Sequence, residues 1–162
     1  MDQFLANAIE EARKGLAEGG IPIGSVLVHD GKVIGRGHNQ RVQRGSVIHH
    51  GEMNCLENAG RQTAAVYRQC TIYTTLSPCP MCTGAIVHVR LARVVYGVGD
   101  PKGGAAGGVM NLLQWPSLNH RAEITRGVRE SECRALLQSF FAEQRAKGKK
   151  TPFDEAGGLA NN

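Results

Sequence analysis

The stretch that most restricts the fold runs from Thr71 to Gly97. Thr71-Ile72-Tyr73-Thr74-Thr75-Leu76 is rich in β-branched and aromatic residues, the composition of a strand. Pro78 then opens a helix through about Val89, because proline has no N–H to lose in a first helical turn. Arg93-Val94-Val95-Tyr96-Gly97 reads as a second strand. A strand, a helix and a strand in that order make a β-α-β unit.

The remaining elements fit around this unit. Residues 2–18 read as an amphipathic helix, with Leu5, Ala8, Ile9, Ala12 and Leu16 at helical spacing and Gly19-Gly20 as its stop. Ser25-Val26-Leu27-Val28 and Lys32-Val33-Ile34 flank the turn signal Asp30-Gly31, as in a hairpin. A polar loop is expected from Gly35 to His49, and a short helix over 51–60. After a Gly-rich loop at 99–108 come a helical turn from Met110 to Gln114, a strand Glu123-Ile124-Thr125, and a closing helix over 130–145. A hairpin followed by β-α-β units predicts an α/β fold, a five-stranded mixed sheet between helical layers in a three-layer α/β/α sandwich. At 162 residues the chain suits one domain, taken as 1–150 with a C-terminal tail 151–162.

Five cysteines without a secretion signal argue against a disulfide framework. Cys55, Cys70 and Cys133 sit among apolar residues and read as core hydrophobes. Cys79 and Cys82 differ. Three apart at a helix start, they share one face, where unpaired N–H groups favour thiolates. His50-Gly51-Glu52 stands at the start of another expected helix. One imidazole and two thiolates give three ligands, which leaves the fourth position of a tetrahedral Zn²⁺ open, as in a catalytic site. A thioredoxin-like redox pair would follow the first strand of a different topology. A structural zinc site would want a fourth protein ligand, and no second C-x-x-C exists. His49 is the neighbouring imidazole, but only His50 gives the H-x-E spacing. H-x-E followed by P-C-x-x-C is the signature of zinc deaminases that act on nucleobases. In that chemistry Zn²⁺ activates the attacking water. Glu52 is then the general acid and base that moves its proton, and ammonia leaves.

Those motifs sit in a chain that resembles the cytidine deaminase superfamily in two different ways. Over residues 1–86 it resembles free-base cytosine deaminases, through Gly19-Gly20-Ile21-Pro22-Ile23-Gly24, Gly35-Arg36-Gly37-His38-Asn39, His50-Gly51-Glu52, Leu56-Glu57-Asn58-Ala59-Gly60-Arg61 and Thr74-Thr75-Leu76-Ser77-Pro78-Cys79. Over residues 87–150 it resembles tRNA-specific adenosine deaminases, through Asp100-Pro101-Lys102-Gly103-Gly104-Ala105-Ala106-Gly107, Met110-Asn111-Leu112-Leu113, Asn119-His120-Arg121 and the Phe140-Phe141 helix. The pattern is that of a mosaic or chimera with a seam near 86–93.

The resemblance implies a cytidine-deaminase-like fold, one Zn²⁺ per subunit on His50, Cys79 and Cys82, and Glu52 as the catalytic residue. It implies Asn39, Gly51, Ile23 and Ser77 around the base. It implies nucleic-acid contacts from Asp100, Lys102, Asn119, His120, Arg121 and Phe141, and a homodimer. Phe153-Asp154-Glu155 loosely resembles the segment that closes over the base in cytosine deaminases.

Net charge bears on the substrate. The chain carries 19 basic and 14 acidic side chains, +5 in all. Residues 1–85 hold 8 basic and 7 acidic groups, +1, and residues 86–150 hold 11 and 5, +6. A basic half suits a polyanionic partner. The expected activity is removal of the exocyclic amine of a nucleobase, cytosine to uracil, free or within single-stranded nucleic acid. The alternative is adenosine to inosine in a tRNA anticodon or another single strand. A non-catalytic zinc-binding domain ranks last, because Glu52 is present. No apolar run is long enough for a membrane span, and the start Met1-Asp2-Gln3-Phe4 lacks the basic residues of a signal peptide, so a cytoplasmic chain is expected.

Overall fold

The computed structural model describes residues 2–148. The tail 151–162, including Phe153-Asp154-Glu155, and residues 149–150 of the expected domain lie outside the described residues. Helices are α1 (Asp2–Ala17), α2 (Arg41–Arg44), α3 (Gly51–Ala59), α4 (Ala64–Tyr67), α5 (Pro80–Val89) and α6 (Glu130–Ala146). Strands are β1 (Gly24–His29), β2 (Lys32–His38), β3 (Thr71–Leu76), β4 (Arg93–Val98) and β5 (Glu123–Thr125).

The sheet order is β2-β1-β3-β4-β5. β1 is antiparallel to β2 and to β3, while β3–β4 and β4–β5 are parallel. The mixed sheet read from the sequence is the one observed. Side chains alternate across it into two cores. Val26, Tyr73 and Val95 join Leu5 and Ile9 of α1 and Leu137 and Phe141 of α6 on one face. Their neighbours Leu27, Ile72 and Val94 join Cys55 of α3 and Ile86 of α5 on the other. This alternation creates the three layers.

β2 extends to His38, where a loop was expected from Gly35. The reason lies on one face of the strand. A side chain at Gly35 would run into Ala59 and Cys55, and one at Gly37 into Asn54 and Cys55. The two glycines are strand residues that let α3 lie flush against β2.

Two four-residue helices were not expected. Arg41–Arg44 ends at Gly45 in the left-handed region (φ 57°), and Ala64–Tyr67 is capped by Thr63, whose hydroxyl accepts from Val66 N at 3.3 Å. α5 starts at Pro80, two residues beyond the expected start, with Cys79 as its N-cap. The Met110–Gln114 turn is a 3₁₀ turn over Leu112–Gln114.

Candidate active site

Two helix starts meet at the carboxyl end of β3. His50 is the N-cap of α3, and Cys79 is the N-cap of α5 with Cys82 in its first turn. The Sγ atoms of Cys79 and Cys82 lie 3.5 and 3.6 Å from His50 Nδ1. The ligand atoms of His50, Cys79 and Cys82 all fall within 4.8 Å of one another, a spacing that one ion can bridge. His49 points elsewhere: its Nε2 pairs with Asn54 Nδ2 at 3.2 Å. The structure thus selects His50 over its neighbour.

The donor set fits a soft divalent cation. The Cys79 thiol is pulled down to about 4, chiefly by its side-chain hydrogen bonding with Cys82, with burial opposing and His50 assisting. Cys82 is pushed up, first by that same bond, then by burial and by Glu52. A metal that needs both thiolates displaces the proton that remains on Cys82. Burial opposes charge on His50, but the Cys79 hydrogen bond and Glu52 outweigh it and raise its pKa. The other three cysteines are inert by contrast. Burial pushes Cys70 up to about 11, Cys133 up to about 12, and Cys55 higher still.

Glu52 is buried at 4% exposure in the first turn of α3. Its Oε2 accepts from Cys82 Sγ at 3.2 Å, and its Oε1 accepts from the Thr74 hydroxyl at 2.8 Å. Thr74 in turn accepts from the Ser25 hydroxyl at 3.0 Å. Neither Thr74 nor Ser25 was singled out from the sequence. Their link to Glu52 depends on strand register, which places Ser25 directly opposite Thr74.

A small cavity of about 60 Å³ opens on this cluster, lined by Ile23, Asn39, His50, Glu52, Leu76, Ser77, Cys79 and Asp100. Gly51 packs close to Ile23 O and Asn39 N. Asn39 Oδ1 accepts from Arg41 N at 3.1 Å, so its amide NH₂ remains as the donor for a ligand. Ser77 Oγ is buried with no partner among the described residues. A buried hydroxyl without a partner is costly unless a ligand satisfies it.

The expected nucleic-acid set divides. Asp100 lines the cavity, but its Oδ1 accepts from Lys102 N and Gly103 N and so shapes the Gly-rich loop. Lys102, Asn119 and Arg121 are exposed, and Arg121 also donates to Pro116 O at 2.6 Å. His120 Nε2 donates to Leu91 O at 2.7 Å. Phe141 lies wholly inside the core, edge-on to Phe140, and has no face left for a ligand.

Residues 1–98 match the family model for the cytidine and deoxycytidylate deaminase zinc-binding region. The chain belongs to this family. It is a zinc-dependent nucleobase deaminase with an α/β fold. It is 45% identical over 147 residues to a tRNA-specific adenosine deaminase of Bacillus subtilis (strain 168), covering 90% of this chain and 91% of the relative. It is 57% identical over 143 residues to a cytosine deaminase of Candida albicans (strain SC5314), covering 85% of this chain and 86% of the relative. A solved structure from work on A-to-I editing by tRNA:A34 deaminases superposes with a TM-score of 0.76 at 34% identity, over 85% of this chain and all of that one. Both resemblances are present. Each alignment spans too much of the chain to stop at the 86–93 seam.

Proposed function

We propose that this deaminase converts cytosine to uracil, taking the base from single-stranded nucleic acid as well as free. The observation that carries the base is the cavity. It is small, about 60 Å³ beside the His50, Cys79 and Cys82 cluster, and the 57% identity to a cytosine deaminase favours a one-ring base there. Asn39 offers an amide donor and Ser77 an unsatisfied hydroxyl to the polar edge of that ring.

Zn²⁺ held by His50, Cys79 and Cys82 supplies a water activated for attack at neutral pH. Glu52 accepts the proton of the attacking water and passes it to the ring nitrogen. It takes the second proton and gives it to the departing amine, so water and the aminated ring become ammonia and the carbonyl. Asn39 and Ser77 hold the ring so that its amine-bearing carbon faces the cluster. Ile23 and Leu76 shield that space from water.

The nucleic-acid part of the reading is supported by the +6 of residues 86–150 and by the exposed side chains of Lys102 in the Gly-rich loop and of Asn119 and Arg121. The reading extends to a cytoplasmic homodimer. Ile48, Met53, Leu56, Tyr67 and Val89 line an apolar groove between α3 and α5, a surface suited to a second copy. Among the described residues no helix is long and apolar enough to cross a membrane.

A second reading is adenosine to inosine in a tRNA anticodon, favoured by relatives named tRNA-specific adenosine deaminase. One assay separates the two. Zinc-loaded protein is incubated with cytosine, adenine, a tRNA anticodon stem-loop and single-stranded DNA, and the products are identified. Uracil is expected. Inosine without uracil overturns the choice of base.

A further inference from the structure

We propose that Thr74, backed by Ser25, is the positioning residue that fixes which oxygen of Glu52 faces the reacting atoms. The inference rests on Glu52 as the proton carrier. It concerns how that carboxylate is held, and it needs no change in protonation.

The geometry is a chain of three buried groups. Ser25, Thr74 and Glu52 are 0%, 0% and 4% exposed. Each hydroxyl has one proton to give. Thr74 spends its proton on Glu52 Oε1 at 2.8 Å, so Ser25 must be the donor in its 3.0 Å contact with Thr74. The direction of the chain is thereby fixed toward the carboxylate. Oε1 is occupied, and Oε2 is the oxygen on the side of Cys82 and the cluster.

A carboxylate needs such a tether. The terminal torsion of glutamate is broad and holds no single orientation by itself. Water cannot substitute as the donor where Thr74 and Ser25 are fully buried. Threonine is suited to the task, because its branched side chain is stiff at χ1 and the strand fixes its backbone. β1 and β3 bring Ser25 and Thr74 opposite one another from 49 residues apart in sequence. The tether is thus built from the sheet, and the group it holds is built on α3.

The test compares Thr74→Val, Thr74→Ser and Ser25→Ala with the parent protein, on the substrate that the parent deaminates. Valine keeps the shape and removes the donor. Its kcat is expected to fall about ten- to a hundred-fold, the worth of a hydrogen bond to a charged group, with KM within about two-fold. Bound zinc per chain is expected to remain at the parent level. Serine at 74 restores the donor and is expected to recover most of the lost kcat. Ser25→Ala, one link further away, is expected to lose only a few-fold. Crystal structures add a readout independent of turnover: the Glu52 carboxylate turns in Thr74→Val and keeps its place in Thr74→Ser. The proposal is overturned if Thr74→Val turns over like the parent. It is also overturned if zinc-loaded Thr74→Ser is as slow as Thr74→Val. A parent inactive on every base tested would instead overturn the function proposed above.

Discussion

Glu52 sits where an acid is costly, inside the protein and next to the Cys82 sulfur. A buried carboxylate kept there must act on something. Glu52→Gln keeps the size and removes the proton carrier. Turnover is expected to fall about 100- to 10,000-fold, while zinc content stays at the parent level. Cys82→Ser is expected to do the reverse in order: metal is lost first and activity follows. Measuring zinc and rate on the same samples checks both. A Glu52→Gln protein with full turnover removes the mechanism.

A second buried cluster governs acid stability. His38 lies between Glu11 and Glu18, with its Nδ1 3.2 Å and its Nε2 2.7 Å from their carboxylate oxygens. Burial pushes Glu11 up, but hydrogen bonds from Lys14 and His38 outweigh it and bring its pKa below the ordinary 4.5. Glu18 is lowered from 4.5 chiefly by its hydrogen bond from His38. Both folded values lie below the unfolded ones. Their stabilising effect is therefore complete above 4.5 and is lost as pH falls through the lowered values. The melting temperature of the parent is expected to drop more steeply below pH 4.5 than that of Glu11→Gln. Parallel curves for the two proteins would refute this account.

Among the elements, α3 decides the site. It carries His50 as its N-cap and Gly51 and Glu52 in its first turn, and it rests on Gly35 and Gly37 of β2. Gly37→Ala places a methyl group against the Cys55 N–H, on backbone that cannot move aside. The expected cost is about 1–3 kcal/mol from overpacking. Zinc affinity is expected to weaken as well, because a displaced α3 carries His50 with it. Denaturant unfolding and a zinc competition titration measure the two effects. A Gly37→Ala protein with the parent's stability would show that the helix can yield.

Elements with a strong period were legible in the sequence, and those without one were not. Thr71–Leu76 occurs at the expected bounds because its side chains alternate between two cores, and Glu123–Thr125 does so with Ile124 packed against one of them. α2 and α4 are four residues each, about one helical turn, too short for an apolar period to show. Gly35 and Gly37 signalled a loop because the helix that requires them lies 14 or more residues onward. The zinc ligands were legible because helix starts bring short spacings together. Ser25 and Thr74 were not, because only sheet register joins them. Phe141, for which resemblance implied a ligand contact, has its ring packed in the core.

For the whole molecule, charge is the test of substrate. If a strand lies across the basic half, binding should weaken steeply with salt, with a log–log slope of about −0.7 per phosphate neutralised. A free base has no such dependence. Replacing both Lys102 and Arg121 with alanine is expected to flatten the slope for single-stranded DNA and leave turnover of free cytosine unchanged. An unaltered slope would place the strand elsewhere.

The meeting of α3 and α5 at one cluster has a further consequence. Each helix starts at a ligand, and each buries side chains in the same core, Cys55 from α3 and Ile86 from α5. An ion held there is a staple between two helices as well as a reagent. Occupancy and folding are then linked: heat resistance should climb with the logarithm of free zinc once the site is saturated. Cys79→Ser should melt at one temperature whatever the zinc concentration. A cell short of zinc would on this account hold less folded enzyme, in addition to slower enzyme.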